Sequence, residues 1–187
     1  LAIALAAVLG GCSSDLLSLS APLPACPSVS GLNDANRITV YRPGPGRDIT
    51  DIVYEARILG FDGDCNYTIK NKSKKPELQT YSSVKVNIRP RFRVTPGPAM
   101  TNFDVKLDYF TAIPAFYPHP EGRADFSREV ELPATRTQLD VTDADIEITI
   151  PLNERRSGPT QAIFVGFVLS EEQLKENRER PTGRLGL

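Results

Sequence analysis

The chain has 187 residues, 40% of them hydrophobic and 24% charged, with a formal net charge of −1 and no tryptophan. That size and mix suit a globular chain with a real core. Near-neutrality argues against a general nucleic-acid binder, and no apolar stretch reaches the about 20 residues that a membrane-spanning helix needs.

Residues 1–9 are apolar, and the run ends in Leu9-Gly10-Gly11-Cys12, after which Ser13-Ser14-Asp15 turns polar at once. A run this short suits the h-region and small-residue cleavage site of a secretory signal. No Met, Lys or Arg precedes Leu1, so the expectation is a signal that lacks its first residues. The plainer alternative is an ordinary signal peptide with Cys12 merely nearby. The junction resembles the lipobox of bacterial lipoprotein precursors. That resemblance implies cleavage before Cys12 and lipid on that residue, a diacylglycerol and an acyl chain, with no other cofactor expected. Ser13 in place of Asp after the cysteine implies the outer membrane of a Gram-negative bacterium, with the domain facing the periplasm. Each buried methylene contributes about 0.8 kcal/mol and one acyl chain holds only reversibly, so two or three chains make the attachment lasting.

The expected organisation is therefore a signal peptide over residues 1–11, a lipidated cysteine and tether over 12–25, and a domain over 26–187. The tether, rich in Ser, Leu and Pro, would hold the domain roughly 20 Å from the anchor as coil. Its Leu16, Leu17 and Leu19 are apolar for a linker. If Cys12 takes lipid, Cys26 and Cys65 remain as an even pair, which an oxidising compartment should join. Two free buried thiols are the alternative, and two cysteines with one distant histidine lack metal-ligand spacing.

From Cys26 onward the signals are strands and turns. Arg37–Arg42 and Ile49–Leu59 are rich in β-branched and aromatic residues, with Pro43-Gly44-Pro45-Gly46 breaking the chain between them. Cys65–Lys70 is a further candidate. Val84, Val86, Ile88, Phe92 and Val94 then alternate with Lys85, Asn87, Arg89, Arg91 and Arg93, a period-2 pattern interrupted by Pro90. Pro90 implies a bulge or an edge position. Phe103, Val105, Leu107 and Tyr109 alternate likewise, and the loop before them suggests a hairpin that sets Arg93 opposite Asp104 and Arg89 opposite Asp108. Strands are expected at Asp125–Leu132, Asp145–Leu152 and Gln161–Leu169, the last apolar on both faces and so central or covered. Ser170-Glu171-Glu172-Gln173 reads as a capping box opening a helix through about Arg180, with Pro181 as its stop. The sum is a mainly β chain: a single Ig-like antiparallel β-sandwich of about seven or eight strands with a short C-terminal helix. The cysteine pair falls too early for the inter-sheet bridge of antibody domains and should pin the N-terminal segment to a neighbouring strand.

Chemistry-bearing motifs are sparse. His119, the sole histidine, sits between prolines and has no visible partner for acid–base work. Asp62-Gly63-Asp64 and the group Asp140, Asp143 and Asp145 invite calcium, but neither continues into a full ligand set, and a turn role is the expectation. Glu121, Glu129 and Glu131 read as a solvated strand edge. Tyr109, Phe110, Phe116 and Tyr117 form the nearest aromatic group, equally suited to a ligand pocket or to the core. Residues 66–94 carry a net +7 and residues 101–154 a net −7. Adjacent strands that neutralise one another explain this. The sharper reading is an exposed basic tip at Lys70, Lys72, Lys74 and Lys75 that touches anionic lipid, lipopolysaccharide phosphate or an acidic protein.

No catalytic constellation is visible, so an enzyme is not expected. The expected function is a lipid-anchored structural or interaction module of the cell envelope, such as an accessory subunit of a larger complex. Its partners would be the membrane, through the anchor, and an envelope protein, with no nucleic acid. The competing reading is a binding module for envelope glycan, lipid or lipopolysaccharide. The whole length is similar to small envelope lipoproteins with an Ig-like domain, a resemblance that names no activity.

Overall fold

The computed structural model describes residues 23–73, 78–154 and 156–179. Nine strands, β1 (Ser28–Gly31), β2 (Arg37–Tyr41), β3 (Ile52–Asn71), β4 (Thr80–Pro96), β5 (Asp104–Ala112), β6 (Arg123–Glu131), β7 (Leu139–Thr142), β8 (Ile146–Pro151) and β9 (Ala162–Phe167), precede one helix, α1 (Glu171–Glu179), among the described residues. They form two sheets. One runs β1-β9-β5-β6, and the other runs β2-β3-β4 with β7 and β8 end to end along the far side of β4. The inner faces meet in one core, dominated by Val84, Ile88, Phe92, Leu107, Tyr109, Ile150, Ile163 and Phe167. This is the expected mainly β sandwich.

Alternation explains why β4 anchors the second sheet. Its even-numbered residues from Val84 to Val94 are buried and its odd-numbered ones carry the charges. β9 is apolar on both faces and is central, between β1 and β5. On its outer face Gly166 lies under Ala35 and the Phe110 ring, where a β-carbon would crowd both. Leu169, just past β9, packs against the core.

Four expectations need correction. The proposed hairpin does not form: β4 and β5 lie in different sheets, and β4 pairs with β3 over its whole length. Both strands have an apolar face, and the segment between them crosses the about 10 Å between sheets so that these faces oppose each other. The Cys65–Lys70 candidate is not a separate strand but the second half of β3, joined to the first through Gly60 at φ 158° and a bulge between Ile58 and Gly60. Asp62-Gly63-Asp64 is therefore strand, not turn. β1 and β7, each of four residues, had no periodic signal, and β1 pairs with β9 in parallel, so the first sheet is mixed.

Pro90 occupies a central strand without breaking it. Its carbonyl accepts from the Asp143 N–H at 2.9 Å, which places its amide side in the break between β7 and β8, away from β3. The missing donor thus falls where no ladder bond is needed.

The capping box is present: the Gln173 N–H donates to Ser170 Oγ at 3.2 Å and the Ser170 N–H to Gln173 Oε1 at 2.9 Å. The helix it opens has no buried residue and docks through polar groups. β2 is an edge strand whose Arg37 and Thr39 carbonyls face away from β3. Gln173 Nε2 donates to Thr39 O at 3.2 Å, and Asn177 Nδ2 to Arg37 O at 2.9 Å. Four helical residues rise about 6 Å and two strand residues about 6.6 Å, so amides at 173 and 177 match alternate carbonyls of the strand. The helix closes the open edge in place of a further strand. Replacing Gln173 and Asn177 together by Ala should lower stability by about 1–2 kcal/mol and expose β2 to self-pairing. Light scattering and urea midpoints would check it, and an unchanged monomer of unchanged stability would contradict it.

The Tyr109 ring is buried between the sheets, and its hydroxyl finds a partner near the break between β7 and β8. The Tyr109 hydroxyl donates to Asp143 Oδ2 at 2.7 Å, and Asp143 also receives the Ala144 N–H and faces Arg128 at 3.8 Å. Burial first, and the Asp143 carboxylate second, push the Tyr109 phenol well above its ordinary range. With a raised folded pKa, stability is whole below about pH 10 and falls as pH rises toward the folded value. Tyr109→Phe should cost about 1.5–3 kcal/mol at neutral pH and flatten the alkaline fall in denaturation midpoint. An equally steep alkaline fall in the variant would refute this assignment.

Candidate interaction surfaces

One end of the sandwich gathers the chain entry, a long hairpin and an exposed loop. Cys26 precedes β1 and is joined to Cys65 of β3, with Cα atoms 5.7 Å apart. The bond links the strand bordering β9 in one sheet to β3 in the other, and so pins the N-terminal segment as expected. The Tyr67 hydroxyl adds a 2.6 Å hydrogen bond to the Ala25 carbonyl. Gly158 lies against the Tyr67 ring, where a β-carbon would strike the phenol. Two residues back, the Arg156 guanidinium lies 4.4 Å from the centre of the Phe116 ring.

β3 and β4 continue past this bridge to their connection, and Lys70 and Lys72 are exposed there. Lys74 and Lys75 lie outside the described residues, as does Cys12. Ile69 and Leu78, at the ends of the same segment, expose 39% and 61% of their surface. β5 ends at the same end of the sandwich, since Ala112 pairs with Phe164 near the start of β9. The turns that follow, Pro114–Phe116 and Pro120–Gly122, present Tyr117 at 86% exposure. His119 is exposed in this loop, and its N–H closes a turn on the Phe116 carbonyl at 2.7 Å. Of the aromatic group read from the sequence, Tyr109, Phe110 and Phe116 are buried and Tyr117 alone is exposed.

The outer face of the β2-β3-β4 sheet is a lattice of paired charges. Lys85 meets Glu147 at 2.9 Å, Arg89 meets Asp145 at 3.1 Å, and Arg91 meets Asp62 at 3.2 Å. Arg93 grips Asp140 through two bonds of 2.7 Å, which hold that carboxyl below its usual range. Neighbouring strands thus neutralise one another, but the partners are β3, β7 and β8 rather than β5. The acidic clusters are spent in this way: Asp64 accepts from Asn87 at 3.0 Å, and Asp143 serves Tyr109. Among the described residues no group of three metal-ligating side chains converges. Glu129 and Glu131 are exposed on edge strand β6, whereas Glu121 belongs to the Pro120–Gly122 turn.

A groove of about 620 Å³ runs between α1 and the first sheet, lined by Ala35, Phe110, Val168, Leu169 and Leu174 and bordered by Arg123 and Arg178. Arg123 stands 4.0 Å over the Phe110 ring, and Arg178 meets Asp34 at 3.0 Å. Sequence reasoning missed this groove because its walls come from four separate segments.

Comparison with known proteins brings no relative: no family matches the chain, and no curated protein or solved structure matches it. Among the described residues no helix is long and apolar enough to cross a membrane.

Proposed function

We propose that the chain is a lipid-anchored module of a Gram-negative cell envelope, held at the outer membrane by acyl chains on Cys12 and acting through its surfaces rather than by catalysis. The observation that carries the reading is Leu9-Gly10-Gly11-Cys12 set directly against an apolar segment and followed by a tether. The Cys26–Cys65 bridge supports it, because such bonds persist in oxidising compartments. The partner is an envelope protein, and the chain serves as an accessory subunit. A second reading, a binding module for envelope lipid or glycan, draws support from the groove beside Phe110, whose size falls in the range of small-molecule sites.

Replacing Cys12 by Ala should remove the protein from the outer-membrane fraction of a Gram-negative host and leave its unfolding midpoint unchanged. Undiminished outer-membrane retention of the variant would refute the anchor. Affinity capture of the lipidated protein from solubilised envelope separates the two readings: a stoichiometric protein partner supports the first, and co-purifying lipid or glycan alone supports the second.

A further inference from the structure

Among the described residues, the end of the sandwich that receives the tether also carries most of the exposed large apolar side chains. Leu23 is 65% exposed where the chain enters, and Ile69, Leu78 and Tyr117 project from the hairpin and the neighbouring loop. The remaining exposed large apolar residues lie elsewhere: Ile49 before the start of β3, Leu59 along its length, and Val168 beyond the end of β9. Lys70 and Lys72 stand among the first group. Among the described residues neither lysine forms a salt bridge, in contrast to Lys85, Arg89, Arg91 and Arg93 of β4, which are all paired. Glu121 and Glu154 border the same end, so the basic character belongs to the hairpin while the loop contributes the Tyr117 ring.

We propose that this end is the membrane-docking face of the domain, with Lys70 and Lys72 on anionic phospholipid headgroups and Ile69, Leu78, Leu23 and Tyr117 in the interfacial layer. The proposal rests on the anchor reading, and three observations select a lipid surface as the occupant. The first is reach: ten residues lie between Cys12 and Leu23, and a coil of that length spans about 20 Å. From Cys65 to Asn71, β3 advances about 20 Å, so the hairpin lies within the range of the surface that the tether reaches. The second is rigidity, because the Cys26–Cys65 bond and the Tyr67 hydrogen bond fix the entry point to that same hairpin. The third is chemistry: a ring with a polar tip, aliphatic side chains and lysines are what a headgroup layer accommodates.

The absence of tryptophan makes the test direct. The chain from Cys12 onward is attached to vesicles of phosphatidylcholine and phosphatidylglycerol through Cys12, by a maleimide-bearing lipid, with the Cys26–Cys65 bond intact. Single reporters are placed as Leu78→Trp, Tyr117→Trp, Ile49→Trp and Val168→Trp, and their emission is quenched with brominated lipid. Strong quenching is expected at 78 and 117 and none at 49 and 168. Lys70→Glu with Lys72→Glu should relieve the quenching at 78, as should pure phosphatidylcholine. Equal quenching of all four reporters would overturn the proposal, and so would no quenching at 78 and 117, the outcome expected if a protein partner claims that end. Because attachment is chemical, failure of acylation at Cys12 in cells would sink the anchor reading alone.

Discussion

Replacing Phe92 by Ala is expected to lower the unfolding free energy by about 3–5 kcal/mol, among the larger costs a single core truncation brings. Phe92 is wholly buried on the inner face of β4. Its ring centre lies 5.0 Å from that of Tyr109 on β5 and 5.7 Å from that of Phe167 on β9. It therefore touches both central strands of the opposite sheet, and truncation removes ring contacts across the sandwich rather than within one layer. The flanking ladder to Ile58 on β3 and Val141 on β7 holds the backbone in place, so the cavity has little means of collapsing. Phe92→Leu, which keeps most of the volume, should cost clearly less. Urea denaturation with a common slope would measure both. A loss below about 1 kcal/mol for Phe92→Ala, outside the range for a packed ring, would mean that the two sheets do not meet there.

Removing the Cys26–Cys65 bond should cost nearly as much. It closes a loop with a sequence separation of 39, worth roughly 3–4 kcal/mol in the chain-entropy model. The effect acts mainly on the unfolded chain, so a Cys26→Ala, Cys65→Ala variant should retain the fold at low temperature and lose its denaturation midpoint. β1 should loosen first, since four residues paired in parallel to β9 and a single phenol bond would then hold the N-terminal segment. Hydrogen exchange confined to residues 28–31 would report that loosening. A variant as stable as the parent, with unchanged protection of β1, would contradict the role assigned to the bridge.

What the sequence made legible follows from how local each signal is. The alternation from Val84 to Val94, the doubly apolar β9 and the Ser170–Gln173 box each depend on a few consecutive residues, and each stands in the fold as expected. Partner choice is not local. Arg93 found Asp140, 47 residues away, rather than the nearer Asp104, because the segment 97–103 crosses between sheets instead of turning back. Short edge elements such as β1 and β7 carry too few residues for a period to show. The docking of α1 was equally hidden: Gln173 and Asn177 look like solvated helix positions until β2 is seen to offer them carbonyls. Of the basic tip, Lys70 and Lys72 are exposed, whereas the apolar company of Ile69, Leu78 and Tyr117 emerges only when three segments meet at one end.

The most direct test of the central claim is the intact mass of the N-terminal peptide from protein extracted with detergent from bacterial membranes. The expected mass is that of a chain beginning at Cys12 and carrying a diacylglycerol and an amide-linked acyl chain, with Cys26 and Cys65 oxidised. A chain whose Cys12 thiol is free, or whose first residue lies elsewhere, would contradict it.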